Sequence, residues 1–297
     1  MGNAVHHINC PVCKGTQLAE ALRAEDFTVS HEKFAILHCN NCSFRFTQDA
    51  PNEQEIGRYY KSSEYISHTN SNKGIINRLY HLVRNYTLVQ KRKLVRSVTG
   101  KQQGNLLDVG AGTGYFAAEM KKAGWSVMAL EPDTEARRNA LDENNVSAEP
   151  VEQLFQLAPG SFDCITLWHV LEHVHDLHGY IQQFYKLLKD DGSLIIAVPN
   201  YTSADGEAYG SNWAAYDVPR HLWHFSPSSM GLLMASHKFQ VDDHKPMWFD
   251  SFYVSMLSEK YKGGGMVSAI SNGLKSNIAT KGDARLCSSV IYIISKV

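Results

Sequence analysis

The chain of 297 residues lacks any apolar run near the roughly eighteen residues that a membrane span needs, so no membrane association is expected. Its start, MGNAVHHINC, has no basic segment leading into an apolar one. A secretory signal is therefore not expected, and the cytoplasm is the expected compartment. Met1-Gly2 opens a lipid-attachment pattern, but position 6 is His6 rather than Ser or Thr, which breaks it. An excess of one charge is also missing: 29 Lys and Arg stand against 30 Asp and Glu, a net charge of −1. The molecule as a whole is no polyanion binder. Internal repeats and low-complexity tails are absent.

Cysteine is scarce, with six in all. Four of them form two pairs, Cys10-Pro-Val-Cys13 and Cys39-Asn-Asn-Cys42, separated by 25 residues. In a reducing compartment this spacing predicts four thiolates around one structural Zn2+. Residues 1–50 then form a zinc-ribbon-like unit, held by metal because it is too small for its own core. The stretch FTVSHEKFAILHC alternates well enough for a hairpin. All four positions are Cys, which leaves no open coordination site and no chemistry for this ion. Cys164 and Cys287 lie in apolar segments and read as core.

Residues 51–101 read as a helical linker or lid. Ile75, Leu79, Leu82, Val83, Tyr86 and Val89 fall on one stripe. From Gly57 to Lys101 ten Lys and Arg face one acid, Glu64. The spacing favours a solvated face, with contact to a phosphate or anionic substrate as the other reading. The tyrosines of YYKSSEYISH could cover a site.

Residues 102–297 alternate strand and helix, which predicts an α/β fold with a doubly wound, mostly parallel sheet and an antiparallel last strand. The first strand runs into LLDVGAGTGYF. Gly110, Gly112 and Gly114 let the backbone turn tightly and approach a ligand. The pattern is GxGxG rather than the GxGxxG of a dinucleotide loop, and Asp108 precedes it. A carboxylate there repels a pyrophosphate and suits a cationic amino-acid tail. Glu131, 21 residues beyond Gly110, ends the second strand, where a carboxylate meets ribose hydroxyls. Glu152 falls where an adenine amine could be met.

In combination, LLDVGAGTGYF, ALEPD, FDCITLWHVLEHV and GSLIIAVPN resemble the class I S-adenosylmethionine-dependent methyltransferases, from about Asn105 to Val297. With its zinc-ribbon-like start, the chain is similar to bacterial small-molecule and sugar C-methyltransferases. The resemblance implies a seven-stranded sheet with a terminal hairpin and S-adenosyl-L-methionine at the carboxyl ends of the first two strands. Ala111, Tyr115, Phe116, Pro132, Trp168 and His169 are then expected to line the cofactor beside the glycines, Asp108, Glu131 and Glu152.

The stretch ITLWHVLEHVHDLH carries four histidines and two carboxylates. Its strand ends at Trp168 and His169, at the ligand crevice. Three readings meet here. Glu172 and His173 shape a helix start; His169 takes a proton from the acceptor; or HxxEH holds a metal, with imidazole in place of a first carboxylate disfavouring Mg2+. His175 and His178 are expected to reach solvent. After the fifth strand, AYGSNWAAYDVPRHLWHFSP has the make-up of a site loop. Its Asp217-Val-Pro-Arg-His221 matches a segment that lies against cofactor and acceptor in similar methyltransferases. His169 and His221 are the candidate bases, His224 and Tyr216 further catalytic candidates, and Arg220 a group to neutralise an anionic acceptor.

The fourth strand ends in neither an Asn-Pro-Pro-Tyr turn nor a Pro-Cys pair, which argues against adenine amines and pyrimidine carbons as acceptors. The expected activity is methyl transfer to a small-molecule acceptor, a sugar or other anionic metabolite. The alternatives are an RNA methyltransferase that docks through the zinc unit and basic helix, and a binding module without turnover. The sequence is silent on oligomeric state.

Overall fold

The structure, a computed structural model, describes residues 4–61 and 75–297, and side chains of the helix that begins at Ile75 from His81 onward. The expected tyrosine lid falls outside the described residues from residue 62, as do the side chains of Ile75 and Leu79. No helix among the described residues is long and apolar enough to cross a membrane.

The N-terminal unit contains β1 (Ala4–Val5), β2 (Leu18–Glu25), β3 (Lys33–Cys39), β4 (Arg45–Thr47) and β5 (Ala50–Pro51). β2 and β3 form the expected antiparallel hairpin. Helix α1 (Ile75–Thr99) then leads into the large sheet. That sheet is built from β6 (Asn105–Val109), β7 (Ser126–Leu130), β8 (Ala148–Glu149), β9 (Phe162–Trp168) and β10 (Leu188–Pro199). Between these strands lie α2 (Tyr115–Lys122), α3 (Thr134–Asn144) and α4 (Leu177–Leu187). Helix α5 (Ala204–Tyr209), the two-residue β11 (Trp223–His224), α6 (Pro227–Ala235) and β12 (Phe239–Pro246) follow. Helices α7 (Asp250–Lys262) and α8 (Met266–Ala279) separate β12 from β13 (Ser289–Lys296).

The seven strands run in the order β12-β13-β10-β9-β6-β7-β8. β13 is antiparallel to both neighbours, and the pairs from β10 to β8 are parallel. The chain winds outward from β6 to β8 and returns to β9, so the crevice opens at the carboxyl ends of β6 and β9. Period-two alternation sorts neighbouring residues to opposite faces. Leu107, Ile165 and Ile196 join one core cluster; Leu106, Cys164 and Ile195 join the other. Both isolated cysteines, Cys164 and Cys287, are buried as expected. Helix α6 starts on a local signal: Ser226 caps the Ser229 N–H, and Pro227 sits at the first helical position.

Three local features depart from simple pattern. Helix α4 ends at Leu187, and residues 188–192 enter β10 irregularly. On α1, Leu82 is 67% and Tyr86 55% exposed. The packed face of that helix instead includes Leu88, Leu94, Val95 and Val98, which join Phe116 and Met120 of α2 under the sheet. The N-terminal unit, finally, is no separate bead. β11, from the loop after β10, pairs antiparallel with β4 and completes a sheet of order β11-β4-β3-β2. Phe44 and Phe46 share a core cluster with Trp223, Phe225 and Val198. Each such buried ring contributes about 1.5–3 kcal/mol.

Candidate active site

The four N-terminal sulfurs lie within 4.8 Å of one another, with Cys10 Sγ to Cys42 Sγ and Cys13 Sγ to Cys39 Sγ both 3.5 Å. A Zn–S distance of about 2.3 Å sets tetrahedral edges near 3.8 Å, so the thiols are spaced for an ion rather than for disulfides. Lys14 and Ser43, each directly after a CxxC pair, take the left-handed conformation that closes the two knuckles. Burial pushes the Cys10 thiol up to about 11, and the same cause raises Cys42. These two thiols are thus costly to ionise without a cation among the sulfurs, whereas, against burial, the backbone N–H groups of Asn41 and Cys42 hold the Cys39 thiol below its usual value.

At the carboxyl end of β6 the chain turns through Gly110 and Gly112, both with positive φ. A Cβ on Gly110 would stand 2.4 Å from Val170 Cγ2, so the loop packs on the segment after β9. A Cβ on Gly112 would meet nothing within 4 Å. The open side of the loop is therefore a cradle, as a bound nucleotide requires. Glu131 closes the loop from β7, accepting the Gly112 N–H at 2.8 Å and the Asp133 N–H at 2.9 Å.

Asp108 is buried and accepts the Thr166 hydroxyl at 2.8 Å. Burial pushes its carboxyl up to about 7, against the opposing pull of Thr166 and the Lys91 ammonium. Lys91 reaches in from α1, its Nζ 4.2 Å from the centre of the Trp168 ring, and burial lowers it to about 8. The indole N–H of Trp168 is buried without a partner among the described residues. Phe116 meets the Trp168 ring edge-on at 5.4 Å. Tyr115 donates to Glu143 and stacks under the Arg84 guanidinium. Ala111 donates its N–H to Leu130, and Pro132 accepts from Arg137. Glu152 is exposed, in the short helical turn after β8. Two buried carboxylates, an orphan indole N–H and an open glycine cradle fit the nucleoside and amino-acid ends of S-adenosylmethionine.

Beyond Trp168 the histidines part company. His169, at φ 58°, lies between Asp250 Oδ2, 2.9 Å from Nε2, and Glu172 Oε1, 3.3 Å from Nδ1. Burial lowers its pKa, but the Asp250 and Glu172 carboxylates overcome that and raise it to about 10. As an imidazolium with both nitrogens occupied, His169 has no lone pair to accept a proton, so the expected base role does not fit it. Asp250 comes from the first turn of α7, and no motif pointed to it. His175 and His178 do not run out to solvent. They meet the backbone oxygens of Pro51 and Pro11 in the N-terminal unit, and His178 also lies 2.7 Å from His237.

The loop after β10 divides likewise. Arg220 is 1% exposed; it donates to Asp26 Oδ1 at 2.9 Å, to Asp217 at 2.6 Å and to the Tyr59 carbonyl at 2.8 Å. It is consumed in binding β2 to the loop and is not free to neutralise an acceptor. Tyr216, also buried, accepts from Arg45, and His224 lies 3.0 Å from Thr47 Oγ1. Both candidates are turned toward the N-terminal unit rather than offered to an acceptor. His224 is held neutral by burial. His221 keeps its role open: Nδ1 donates to the Ala215 carbonyl at 2.8 Å, and its ring meets that of His173 edge-on at 4.5 Å.

Residues 82–244 match the methyltransferase domain family. The chain is 29% identical over 158 residues to ubiquinone biosynthesis O-methyltransferase of Xanthomonas campestris pv. campestris (strain B100), covering 49% of this chain and 66% of that protein. To the mitochondrial ubiquinone biosynthesis O-methyltransferase of Bos taurus it is 29% identical over 184 residues, 54% of this chain and 49% of the relative. The chain thus spans two thirds or less of these relatives' length. Its fold is also similar to that of geranyl diphosphate C-methyltransferase from Streptomyces coelicolor A3(2), with a TM-score of 0.50 and 16% identity over 80% of this chain and 87% of that one. Strand order, glycine cradle and the matched domain together place the chain in the class I S-adenosylmethionine-dependent methyltransferase family.

Proposed function

We propose that this chain transfers the methyl group of S-adenosylmethionine to a hydroxyl oxygen of a small-molecule acceptor. One observation carries the reading: Glu172, His173 and His221 gather beside the glycine loop, two residues past the Val170 that Gly110 packs against. The relatives named O-methyltransferases support oxygen as the acceptor atom. In this reading Asp108 holds the ammonium of the cofactor, Glu131 its ribose hydroxyls and Glu152 its adenine amine. Gly110, Ala111, Gly112 and Gly114 supply the turn, and Tyr115, Phe116, Pro132 and Trp168 the walls. The bound cofactor supplies a methyl on a positively charged sulfur. The protein's part is to hold acceptor and methyl in line and exclude water. In this reading His221 Nε2 takes the acceptor's proton, since Nδ1 is spent on Ala215 and the Asp217 carboxylate lies 3.9 Å from Nε2.

The RNA alternative rests on docking through the zinc unit and the basic stretch. Four of its cations are engaged internally: Arg92 with Glu119, Arg96 with the Ala123 carbonyl, Arg84 over Tyr115 and Lys91 over Trp168. Incubating the chain with methyl-labelled S-adenosylmethionine and fractionated metabolites tests the proposal. Label is expected in a small molecule. Label in RNA, or tight binding without transfer, would overturn the reading.

Cofactor affinity should depend on pH through Asp108. Below about 7 its carboxyl is protonated and offers no charge to an ammonium. Affinity is therefore expected to rise by up to about tenfold per unit between pH 5.5 and 7, then level off. Calorimetry of the Asp108→Asn variant should give weaker binding with a flat profile; a wild-type profile equally flat would refute the role.

The Cys10, Cys13, Cys39 and Cys42 tetrad is proposed to hold a structural Zn2+ that staples residues 1–50 and, through β11, the site loop. Cys42→Ser should release one zinc per chain and lower stability by about 4 kcal/mol. Metal analysis and denaturant unfolding check both.

A further inference from the structure

Helix α8 inverts the packing usual for a surface helix. Its small residues Ala269, Gly273 and Ser276 face inward and are buried. That inner contact is close: a Cβ on Gly273 would stand 2.9 Å from the Phe252 Cα of α7. The large apolar residues point out instead. Met266 is 51% exposed, Val267 84%, Ile270 55%, Leu274 51% and Ile278 66%. At 3.6 residues per turn these five fall within one arc of about 120°, on the side away from the buried positions. The start of α7 extends the patch. Trp248, Phe249 and Tyr253 are also exposed, and Asn277 of α8 donates to the Trp248 carbonyl at 2.9 Å. Single exposed apolar side chains are ordinary on a protein surface; a stripe of them joined to three aromatic residues marks a contact.

The charges around this patch have one sign. Between Met247 and Leu286 the acids are Asp250, Glu259 and Asp283. Asp250 binds His169, Glu259 is buried against Tyr209 and Asn272, and Asp283 is engaged by Arg285. Lys260 and Lys262 precede the stripe, Lys275 flanks it and Lys281 follows it, and all four are exposed. A second copy of the chain on this face would be related by a two-fold axis, which brings the two lysine rims together with no acid to answer them. An anionic lipid surface answers both features. Its acyl layer takes the stripe and its headgroups take the lysines, while Trp248 and Tyr253 suit the boundary between the two.

We infer that α8 and the start of α7 dock on an anionic lipid bilayer, with Met266, Val267, Ile270, Leu274 and Ile278 in the outer acyl layer and the four lysines against the headgroups. Such a contact needs one apolar helix face rather than a span. The face adjoins the crevice, because Asp250 in the first turn of α7 is the residue that binds His169. The inference is independent of which acceptor the chain methylates.

Co-sedimentation of the full chain with vesicles tests it, using phosphatidylcholine alone or mixed with phosphatidylglycerol. Binding to the mixed vesicles is expected to be at least about tenfold tighter than to the neutral ones and to fall as salt is raised. The double variant Ile270→Asp, Leu274→Asp should bind mixed vesicles at least about tenfold more weakly, since it carries charge into the acyl layer. Both positions are exposed, so its melting temperature should stay within a few degrees of wild type. A second double variant, Lys275→Glu with Lys281→Glu, should lose the preference for anionic lipid and leaves the apolar stripe untouched. A wild-type chain that sediments with neither vesicle overturns the inference, as does binding that ignores lipid charge or is unchanged in both variants. Analytical ultracentrifugation without lipid covers the other occupant: a wild-type dimer that the Ile270→Asp, Leu274→Asp variant converts to monomer would assign the face to a second copy and overturn lipid docking.

Discussion

Arg220→Met is expected to destabilise the fold by about 3–5 kcal/mol, the usual cost of leaving buried charge without its partner. Asp26 is fully buried, and Asp217 loses its nearest cation with the same change. Methionine preserves volume, so packing loss contributes little. The pH dependence identifies the mechanism. Burial alone would raise Asp26, but the Ser30 N–H and the Arg220 charge hold it at about 2. A depressed carboxyl contributes stability that is present above its unfolded value near 4 and is lost as pH falls through 2. In the variant the Arg220 share of that contribution is gone while the bonds from Ser30 and Thr28 remain, so the gap between variant and wild type should narrow as pH falls from 5 toward 2. Denaturant midpoints at several pH values give the answer. An unchanged midpoint at neutral pH, or a gap that stays constant with pH, would refute the account.

Gly112→Leu should abolish cofactor binding while leaving the fold largely intact. The position sits at φ 54°, where a side chain costs about 1–2 kcal/mol. No protein atom stands within 4 Å of the added Cβ, so there is no clash beyond that strain. The leucine instead fills the cradle proposed to hold the cofactor. Expected results are a melting temperature lowered by a few degrees and an affinity for S-adenosylmethionine reduced by more than about a hundredfold, roughly the 2.7 kcal/mol of two decades. Retained affinity would mean that the cofactor lies elsewhere.

Much of the catalytic domain was legible from local pattern. A buried apolar strand, a carboxylate and three glycines in eleven residues admit few ligands, and LLDVGAGTGYF lies where the crevice opens. The two CxxC knuckles were equally plain, since a left-handed residue closes each within a few positions. The errors share a different origin. Leu82 and Tyr86 fit a helical stripe, but α1 turns toward α2 the face bearing Leu88, Val95 and Val98, and periodicity alone does not choose between faces. Arg220, Tyr216 and His224 were candidates for chemistry because they stand in a polar, aromatic loop. They are used up by Asp26, Arg45 and Thr47, more than 170 residues earlier in the chain.

The amino-acid sequence by itself determined the alternating fold, the glycine cradle with Asp108 and Glu131, and the thiolate tetrad, because each arises from residues close along the chain. Only the tertiary structure decided which histidine is held between two carboxylates and how the others are oriented. His169 is claimed by Asp250 from an insertion some eighty residues on, whereas His173 and His221 are turned toward Glu172 by backbone carbonyls of a loop that β11 fastens to the N-terminal sheet. A side chain's protonation state depends on the charges and dipoles within a few ångströms, and for these residues those neighbours come from distant parts of the chain.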